Sequence, residues 1–435
     1  MKRFMTILSL VLLVSFLSAC AGTSDANKLD PAKASSEPKG SAVASDKKVT
    51  ISYSFWSEAQ KPAMEEIARA FEKKHPNITV KIEHTPSAQF WTQLEAGASG
   101  GTVPDVFWMS GANFIKYASN GILKPVEEMV KRDKVDLSVY PKSLIDTYKY
   151  NNMLYTLPKD FDTVGLFYNK EMFKQKGIPF PDETWDWAKF LDASKKLTDA
   201  QNGVWGIAAQ KYARVYYNFI YQNGGYVISD DKKTSGFDKP ETIEALRFWS
   251  DLIHVHKVSP NIAQMTETAP LNMFSSGKIA MYIDGSYQML RLVQNEYIKD
   301  KFDVAVLPKG KKQATTIHGL ANVISSKTKH PEEAWEFVKF LGSKEAQEIQ
   351  GRTGSVIPSY QNMQDLFVKA YPAYNAKAFL DMVPNAVFMP NSKDSANWTN
   401  IEDQLFMKVW TGELKVEAAS NEVAVKMNDI LSKEK

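Results

Sequence analysis

Hydrophobic residues alternate with smaller or polar ones over residues 49–55, and this period of two predicts a β-strand. Between residues 64 and 71 the apolar positions recur at spacings of three and four, which predicts one buried face of a helix. Alternation returns over residues 78–82, after a break at Pro76. This strand–helix–strand order predicts a right-handed crossover in a largely parallel sheet, and therefore an α/β fold.

Similar units of strand and amphipathic helix recur further along the chain. Residues 183–197 predict a helix with Trp187 and Phe190 on its buried face. Residues 329–347 predict another helix, for which Gly342 is the expected C-cap. No short-period repeat is present in the sequence, which argues against solenoids and propellers. The part of the chain after residue 48 is longer than one typical domain and suits two.

The beginning of the chain has the pattern of a secretory signal. Lys2 and Arg3 precede an almost entirely apolar run over residues 5–17, which is shorter than the roughly 20 residues that cross a bilayer. The sequence LSAC then ends in Cys20, the only cysteine of the chain, and resembles a lipoprotein signal-peptidase site. We expect residues 1–19 to be removed and Cys20 to carry lipid. The alternative is an ordinary signal peptide that happens to contain this cysteine.

Residues 20–46 are predicted to form a disordered tether, because Ala, Ser, Lys, Asp and Gly dominate and no aromatic residue is present. Removal of Lys2 and Arg3 with the signal would lower the formal net charge from +3 to +1. A net charge this close to zero argues against a nucleic-acid partner. No later apolar run reaches membrane-spanning length, so we expect the lipid alone to hold the protein at a membrane.

The search for catalytic and metal-binding motifs finds little. The sequence lacks a phosphate-binding glycine loop and a Gly-x-Ser-x-Gly elbow, and a single cysteine excludes CxxC redox chemistry. His254 and His256 stand two apart but have no obvious third ligand. Asp160 and Asp162 form a close carboxylate pair, which alone is weak evidence for a glycosidase. We therefore expect no enzymatic activity, no metal site and no cofactor.

Seven segments, in order along the chain, resemble the extracellular solute-binding proteins of ABC importers, in particular the sugar-binding family that includes maltose-binding protein. They extend over roughly residues 49–430. The segments are GGTVPDVFWMSGANFIKYASNGIL, LPKDFDTVGLFYNKEMF, PDETWDWAKFLDASKKL, YQNGGYVISDD, MFSSGKIAMYIDGSYQM, HPEEAWEFVKFLGSKEAQ and WTNIEDQLFMKVWTGE. One such segment is a weak indication, but seven in the family's order make the resemblance specific.

The resemblance implies a two-lobe, periplasmic-binding-protein-like α/β fold of type II, with hinge strands between the lobes and a ligand cleft between them. The implied N-terminal lobe comprises residues 47–163 and 304–355, and the C-terminal lobe comprises residues 164–303 and 356–435. The chain would cross between lobes near residues 162–166, 303–308 and 355–358.

A sugar ring has an apolar C–H face and a rim of hydroxyl groups, so its sites combine aromatic faces with planar polar groups. The sequence supplies many aromatic residues, with 10 Trp, 18 Tyr and 23 Phe. The resemblance implies a set of ligand-binding candidates, most of them on loops that follow strands. These are Trp56, Glu58, Ser110, Asn113, Asp162, Tyr212, Arg214, Gly285, Tyr287, His318 and Trp398.

Each candidate has a structural alternative. Core packing is the alternative for Trp56 and Trp398, and a helix-starting acid is the alternative for Glu58. Asp162 and Arg214 could instead form ion pairs, at the hinge and at the surface respectively. These alternatives stay open at the level of sequence.

Two further alternatives and two departures from the family pattern matter. Asn113 could serve as a turn or cap residue, and His318 could pack in the hinge. Trp91 is expected to pack rather than to bind. Arg214 stands where relatives carry an aromatic residue, which makes an acidic sugar or a sugar phosphate conceivable. Tyr287 replaces a stacking tryptophan and offers a smaller platform, which puts a long oligosaccharide in doubt.

The sequence thus predicts a monomeric substrate-binding lipoprotein of a carbohydrate ABC importer. It would capture a mono- or oligosaccharide by lobe closure and deliver it to the permease in the membrane. We expect it on the extracellular face of a Gram-positive cell membrane, anchored through Cys20. The alternatives are a binder of another small solute, such as a sugar phosphate, an acidic sugar or a polyamine, and a secreted glycan-acting enzyme. A surface adhesin is a third possibility.

Overall fold

The computed structural model describes residues 48–434. The predicted signal peptide, the predicted tether and Cys20, the predicted site of lipidation, lie outside the described residues. None of the helices formed by residues 48–434 combines the length and the apolar character that crossing a bilayer requires.

The described residues form twelve strands. These are β1 (Val49–Phe55), β2 (Ile78–His84), β3 (Val106–Ser110), β4 (Lys149–Tyr150), β5 (Met153–Leu154), β6 (Pro158–Asn169), β7 (Trp205–Ile207), β8 (Ile279–Gly285), β9 (Phe302–Ala305), β10 (Thr315–Ile324), β11 (Ile357–Pro358) and β12 (Ala386–Phe388).

The same part of the chain forms eighteen α-helices. These are α1 (Lys61–Lys74), α2 (Ser87–Gly100), α3 (Gly111–Ser119), α4 (Glu127–Arg132), α5 (Lys142–Thr147), α6 (Lys170–Gln175), α7 (Trp187–Leu197), α8 (Ala213–Gln222), α9 (Pro240–His254), α10 (Ile262–Glu267), α11 (Pro270–Ser275), α12 (Gln288–Val293), α13 (Pro331–Gly342), α14 (Lys344–Arg352), α15 (Asp365–Ala370), α16 (Lys377–Asp381), α17 (Ser395–Trp410) and α18 (Val416–Lys433).

The elements predicted from periodicity are present. Strands β1 and β2 pair in parallel, with Val49 opposite Ile78, and α1 between them buries the apolar face that its spacing predicts. Helix α7 buries Phe190, while Trp187 is only partly buried. Helix α13 differs in one detail: Gly342 is its last residue, and Ser343 is both the C-cap of α13 and the N-cap of α14. Because the backbone of Ser343 is extended rather than left-handed, no glycine cap is needed there.

One sheet runs through the molecule in the order β2-β1-β3-β10-β6-β8-β7, with β12 beside β10 and with β9 and β11 beside β6. Strands β1, β2 and β3 are parallel to one another, whereas β10 is antiparallel to β3 and β6. Strand β6 is also antiparallel to β8, which pairs in parallel with β7. The sheet is therefore mixed rather than wholly parallel.

The hydrophobic interior consists of two separate clusters. The smaller core is formed by residues in 51–157 and 321–349, and the larger core by residues in 161–317 and 357–431 together with Leu144. Burial of apolar side chains in each core stabilises its own set of helices and strands. The molecule is thus an α/β protein with two centres of packing.

Two long strands connect the cores. Strand β6 pairs with β10 over its first half and with β8 and β9 from Val164 onward. Strand β10 places Ile317 in the larger core and Ala321, Val323 and Ile324 in the smaller one. The chain therefore passes from one core to the other within these strands.

The lobe boundaries given by the sequence remain a prediction. The change of pairing partner in β6 falls at residues 163 and 164, inside the predicted crossing at 162–166. Val304 and Leu307 belong to the larger core, although the sequence assigns residues 304–355 to the first lobe. Their burial favours a second crossing inside β10 rather than at 303–308.

Candidate ligand-binding site

A cavity of about 1210 Å³ opens between the two cores. It is lined by the segments that follow β1, β3 and β8, by the first turn of α8, by β6 and β10, and by residues 387–391. The carboxyl ends of strands and the loops after them are the usual place for ligands in α/β proteins. The volume exceeds the roughly 300–1000 Å³ of most small-molecule sites.

Aromatic rings form the wall on the side of the smaller core. Trp56 and Trp91 both line the cavity, with ring centroids 5.3 Å apart. Trp56 also packs edge-on against Phe90 at 5.0 Å and Trp108 at 5.1 Å. Because Trp56 is packed on one side and borders the cavity on the other, the binding and core-packing interpretations of this residue are compatible. Trp91, expected only to pack, borders the cavity as well.

His84 is the last residue of β2, and Glu58 lies three residues after the end of the neighbouring strand β1. His84 Nδ1 is 3.0 Å from Glu58 Oε2, and both side chains line the cavity. Glu58 also begins a 3₁₀ turn over Glu58–Gln60, and its side chain is 68% exposed. Sequence analysis missed His84, although its position at the end of a predicted strand could have indicated it. Because the two strands are parallel and in register, their last residues meet at one edge.

Ser110 and Asn113 follow β3 and border the cavity. The Ser110 hydroxyl accepts a hydrogen bond from the Asn113 backbone N–H at 3.4 Å and caps α3. The polar groups of this turn therefore face the cavity at the start of a helix, where the N-terminal end of the dipole favours acceptor groups of a ligand.

Asp162 and His318 stand opposite each other on the two connecting strands. They are register partners between β6 and β10, and both line the cavity. His318 Nδ1 lies 3.3 Å from Asp162 Oδ1, but the alignment is not that of a hydrogen bond. Burial, and then repulsion from Arg214, lowers the pKa of His318 below 6.5, although Asp162 opposes the shift. The imidazole is therefore neutral at neutral pH.

Arg214, in the first turn of α8, lies between two carboxylates. Its Nη2 donates to Asp162 Oδ1 at 3.3 Å, and its Nε lies 3.6 Å from Asp284 Oδ1. The guanidinium carbon is 4.8 Å from the centroid of the Tyr287 ring, which is the geometry of a cation–π contact. Arg214 and Tyr287, both expected from the sequence, are thus brought into contact at the cavity wall.

Asp284 accepts hydrogen bonds from several groups of this wall and holds them in place. It accepts from the hydroxyls of Tyr282 and Tyr287, from Gln288 Nε2 at 2.9 Å and from the Gly285 N–H at 2.8 Å. Burial opposes its ionisation, but Arg214 and these hydrogen bonds hold the pKa of Asp284 below its usual range. Sequence analysis missed Asp284, since an acid at the end of a buried strand has no local pattern that distinguishes it.

Asp160, the neighbour of Asp162 in the sequence, is already paired. Lys159 Nζ donates to Asp160 and, at 3.1 Å, to Gln60 Oε1, and it lies 4.4 Å from the Trp108 ring centroid. Lys159 is 1% exposed. The charge of Asp160 is therefore balanced inside the wall, whereas Asp162 faces the cavity beside Arg214.

Three predicted residues do not line the cavity. Trp398 is 0% exposed in the larger core, where its indole N–H donates to Ser392 Oγ at 2.9 Å, so the core-packing alternative describes its position. Tyr212 precedes α8 and is 53% exposed outside the cavity. Gly285 has no side chain to offer a ligand, but it leaves room for two residues that do line the cavity. A Cβ at this position would clash with Tyr287 and lie 2.7 Å from Asp162 Oδ1.

The remaining wall is formed by residues that the sequence did not indicate. Residues 387–391 line the cavity after β12, which pairs in parallel with β10. Asn391 Nδ2 donates to the Gly111 carbonyl at 3.3 Å, and Lys232 Nζ donates to Asn391 Oδ1 at 2.6 Å. This segment reaches the cavity through long-range pairing, and nothing in its local sequence predicts that position.

The chain matches known proteins over most of its length. The family model for bacterial extracellular solute-binding proteins matches residues 56–348. An ABC substrate-binding protein from Listeria monocytogenes, solved in complex with cycloalternan, has a TM-score of 0.84 and 28% identity, over 88% of this chain and 99% of that chain. The galactooligosaccharide-binding protein of Bacillus subtilis is 26% identical over 80% of this chain and 81% of its own. The maltotriose-binding protein of Pyrococcus abyssi is 25% identical over 75% and 70%.

Proposed function

Because the chain belongs to the bacterial extracellular solute-binding protein family, we propose that it captures a saccharide for an ABC importer and delivers it to the permease in the membrane. The names of its relatives support a carbohydrate ligand: they bind a galactooligosaccharide, maltotriose or, in the solved complex, cycloalternan. The family consists of solute-binding proteins, so the proposed role is binding and transfer.

The observation that carries the proposal is the composition of the cavity wall. Trp56 and Trp91 present aromatic surface on one side, and Asp162 and Tyr287 lie on the other. A sugar offers C–H faces to the first kind of surface and hydroxyl groups to the second. A cavity of about 1210 Å³ has room for more than a single ring.

Closure of the two cores around the ligand is part of the proposal. Strands β6 and β10 and the segment over residues 350–356 are the covalent connections whose small rotations would bring the walls together. A ligand can favour the closed form only through contacts that are better there than in the open form. A saccharide touching both Trp56 and Tyr287 would make such contacts.

A thermal-shift screen with neutral mono- and oligosaccharides, followed by calorimetry, tests the proposal. A bound saccharide should raise the unfolding temperature, because it stabilises only the folded protein. Asp162→Asn should then weaken binding by about tenfold or more, since a hydrogen bond to a charged group is worth about 1.5–3 kcal/mol. Asp192→Asn, at an exposed site on α7, is the matched control. A protein that no saccharide stabilises, or that converts saccharides to products, would contradict the proposal.

We further propose that the protein is held at the extracellular face of the membrane by lipid on Cys20. The support is the sequence alone: a basic start, a short apolar run and LSAC. A lipid anchor would keep the binding domain near the permease without a membrane-spanning helix. Mass spectrometry of the membrane-extracted protein should find acyl chains on Cys20, and Cys20→Ala should release the protein into the medium. An unmodified cysteine in membrane-bound protein would refute this proposal.

A further inference from the structure

We infer that Arg214 is a positioning residue: it acts as the internal counter-ion of Asp162 and Asp284, and it fixes the Asp162 carboxylate and the Tyr287 ring for an uncharged saccharide. The inference rests on the proposed function. It answers the question that the sequence leaves open, namely whether this arginine binds an acidic sugar or a sugar phosphate.

The guanidinium of Arg214 is oriented by three neighbouring side chains of the protein. One side of the guanidinium donates to Asp162 Oδ1, the Nε side faces Asp284 Oδ1, and one face covers the Tyr287 ring. Asp284 in turn holds the Tyr287 hydroxyl. The four side chains Asp162, Arg214, Asp284 and Tyr287, called here the arginine cluster, therefore fix one another's positions.

The charge of the arginine cluster disfavours an anion. Two carboxylates face one guanidinium, which leaves a net charge of −1 when His318 is neutral. The nearby Lys159 is paired with Asp160 and supplies no free positive charge. Lys149, Lys232, Arg291 and Lys312 also line the cavity, but none of them lies within ion-pair distance of Asp162 or Asp284. A phosphate or carboxylate entering here would lose its hydration and meet a site of its own sign, which is costly in a buried environment. A neutral polyol meets no such penalty.

The arginine cluster leaves one acceptor available for hydroxyl groups. The contacts that Arg214 and His318 make with Asp162 both end on Oδ1. No side chain of residues 48–434 donates to Oδ2 of Asp162, which borders the cavity. By holding Oδ1, Arg214 directs Oδ2 to a fixed place, where a sugar hydroxyl can donate to it.

A double-mutant cycle between Arg214→Gln and Asp284→Asn tests the inference. The single variant Arg214→Gln leaves two carboxylates facing each other without their counter-ion, so both the ligand-free unfolding temperature and the affinity should fall. The double variant removes one positive and one negative charge together, so the ligand-free unfolding temperature should recover. The affinity should stay low, because Asp162 and Tyr287 still lack the groups that fix them. We expect Arg214→Gln to weaken saccharide binding about tenfold and the double variant to bind as weakly, while its ligand-free unfolding temperature returns toward that of the wild type. Arg247→Gln, whose exposed arginine pairs with Glu417 elsewhere on the surface, is the matched control.

The probes are maltotriose and galactotriose as neutral ligands, and glucuronate and glucose 6-phosphate as anionic ones. Tighter binding of an anionic probe, lost in Arg214→Gln, would overturn the inference. A wild-type affinity in the double variant would also overturn it, because the site would then not need Arg214 and Asp284 to hold Asp162 and Tyr287. The ligand-free cycle separates this inference from the proposed function. If no saccharide binds but the cycle shows coupling, only the proposed function fails. If the cycle shows no coupling, the positioning role is refuted.

Discussion

Glu402 is a buried acidic residue in the larger core, and its burial makes part of the protein's stability depend on pH. It is 1% exposed, and its two oxygens accept from the hydroxyls of Tyr216 and Tyr217, each at 2.7 Å. Burial raises the pKa of Glu402 from its ordinary 4.5 to about 8, with a smaller contribution from Asp403. Both tyrosines lie on α8, the helix that carries Arg214, so this buried group also supports the cavity wall.

The first prediction is that the contribution of Glu402 to stability falls as the pH rises from about 4.5 to about 8. In this interval the unfolded chain releases the proton of Glu402 while the folded protein keeps it, so each pH increment favours unfolding. Glu402→Gln keeps a neutral group of the same shape. The free energy of unfolding of Glu402→Gln, minus that of the wild type, should therefore increase from pH 5 to pH 8.

Urea denaturation at pH 5, 6, 7 and 8 measures this difference. Glu348→Gln, at an exposed position of α14, should show no such trend. A difference between wild type and Glu402→Gln that does not vary with pH would refute the assigned protonation state.

The second prediction separates a core residue, Trp398, from a residue of the cavity wall, Tyr287. Trp398→Ala should destabilise the protein by about 3–5 kcal/mol, the usual cost of removing a fully buried aromatic side chain. Its saccharide affinity, measured by calorimetry well below the unfolding temperature, should stay close to that of the wild type. Tyr287→Ala should do the reverse and weaken binding more than folding, because its ring faces the cavity. Loss of affinity with unchanged stability in Trp398→Ala would restore the stacking role that the sequence assigns to it.

At the scale of elements, β8 ends where the chain must approach the cavity wall closely. Gly285 pairs with Val164 of β6, and a Cβ at this position would clash with Tyr287 and come within 2.7 Å of Asp162 Oδ1. Contacts this short force a neighbour to move. The end of β8 therefore needs glycine so that Asp162 and Tyr287 can both face the cavity.

The third prediction follows from this close approach. Gly285→Ala should weaken saccharide binding by about tenfold, because it displaces two side chains of the site, and a displacement of about 1 Å is costly in preorganised sites. Gly100→Ala, at the end of α2 where a Cβ would meet no atom closer than Thr102 Oγ1 at 3.9 Å, is the control. Calorimetry on both variants makes the test. An affinity for Gly285→Ala equal to that of the control would show that the site tolerates the extra methyl group.

Elements with a strong local pattern are the ones that the sequence predicts well. Helix α1 and strands β1 and β2 follow from apolar spacing alone, because each buries one face against the smaller core. Strand β12 and residues 387–391 could not be predicted in the same way. Their position depends on pairing with β10, about seventy residues earlier in the chain. Such long-range pairing leaves no periodic signal in the segment itself.

The same distinction applies to the site. Trp56, Asp162, Arg214, Tyr287 and His318 were expected from the sequence and line one cavity. Asp284, which holds several of them in place, was missed. Its carboxylate is buried behind the wall, and only the folded arrangement brings Arg214 and the two tyrosine hydroxyls to it.

At the scale of the whole molecule, two cores joined by β6 and β10 suit a protein that closes around its ligand. The fourth prediction is that a saturating saccharide reduces the radius of gyration measured by small-angle X-ray scattering. The physical reason is that contacts to both walls favour the form in which the walls are close. Identical scattering curves for the free protein and for protein that calorimetry shows to be saturated would exclude closure.

The most direct test of the account is a crystal structure of the protein with the saccharide that stabilises it most in the thermal-shift screen. We predict ligand density in the cavity between the cores, with a ring against Trp56 or Trp91 and a hydroxyl within hydrogen-bond distance of Asp162 Oδ2. Density at another surface, with this cavity empty, would contradict the central claim that the space between the two cores is the binding site.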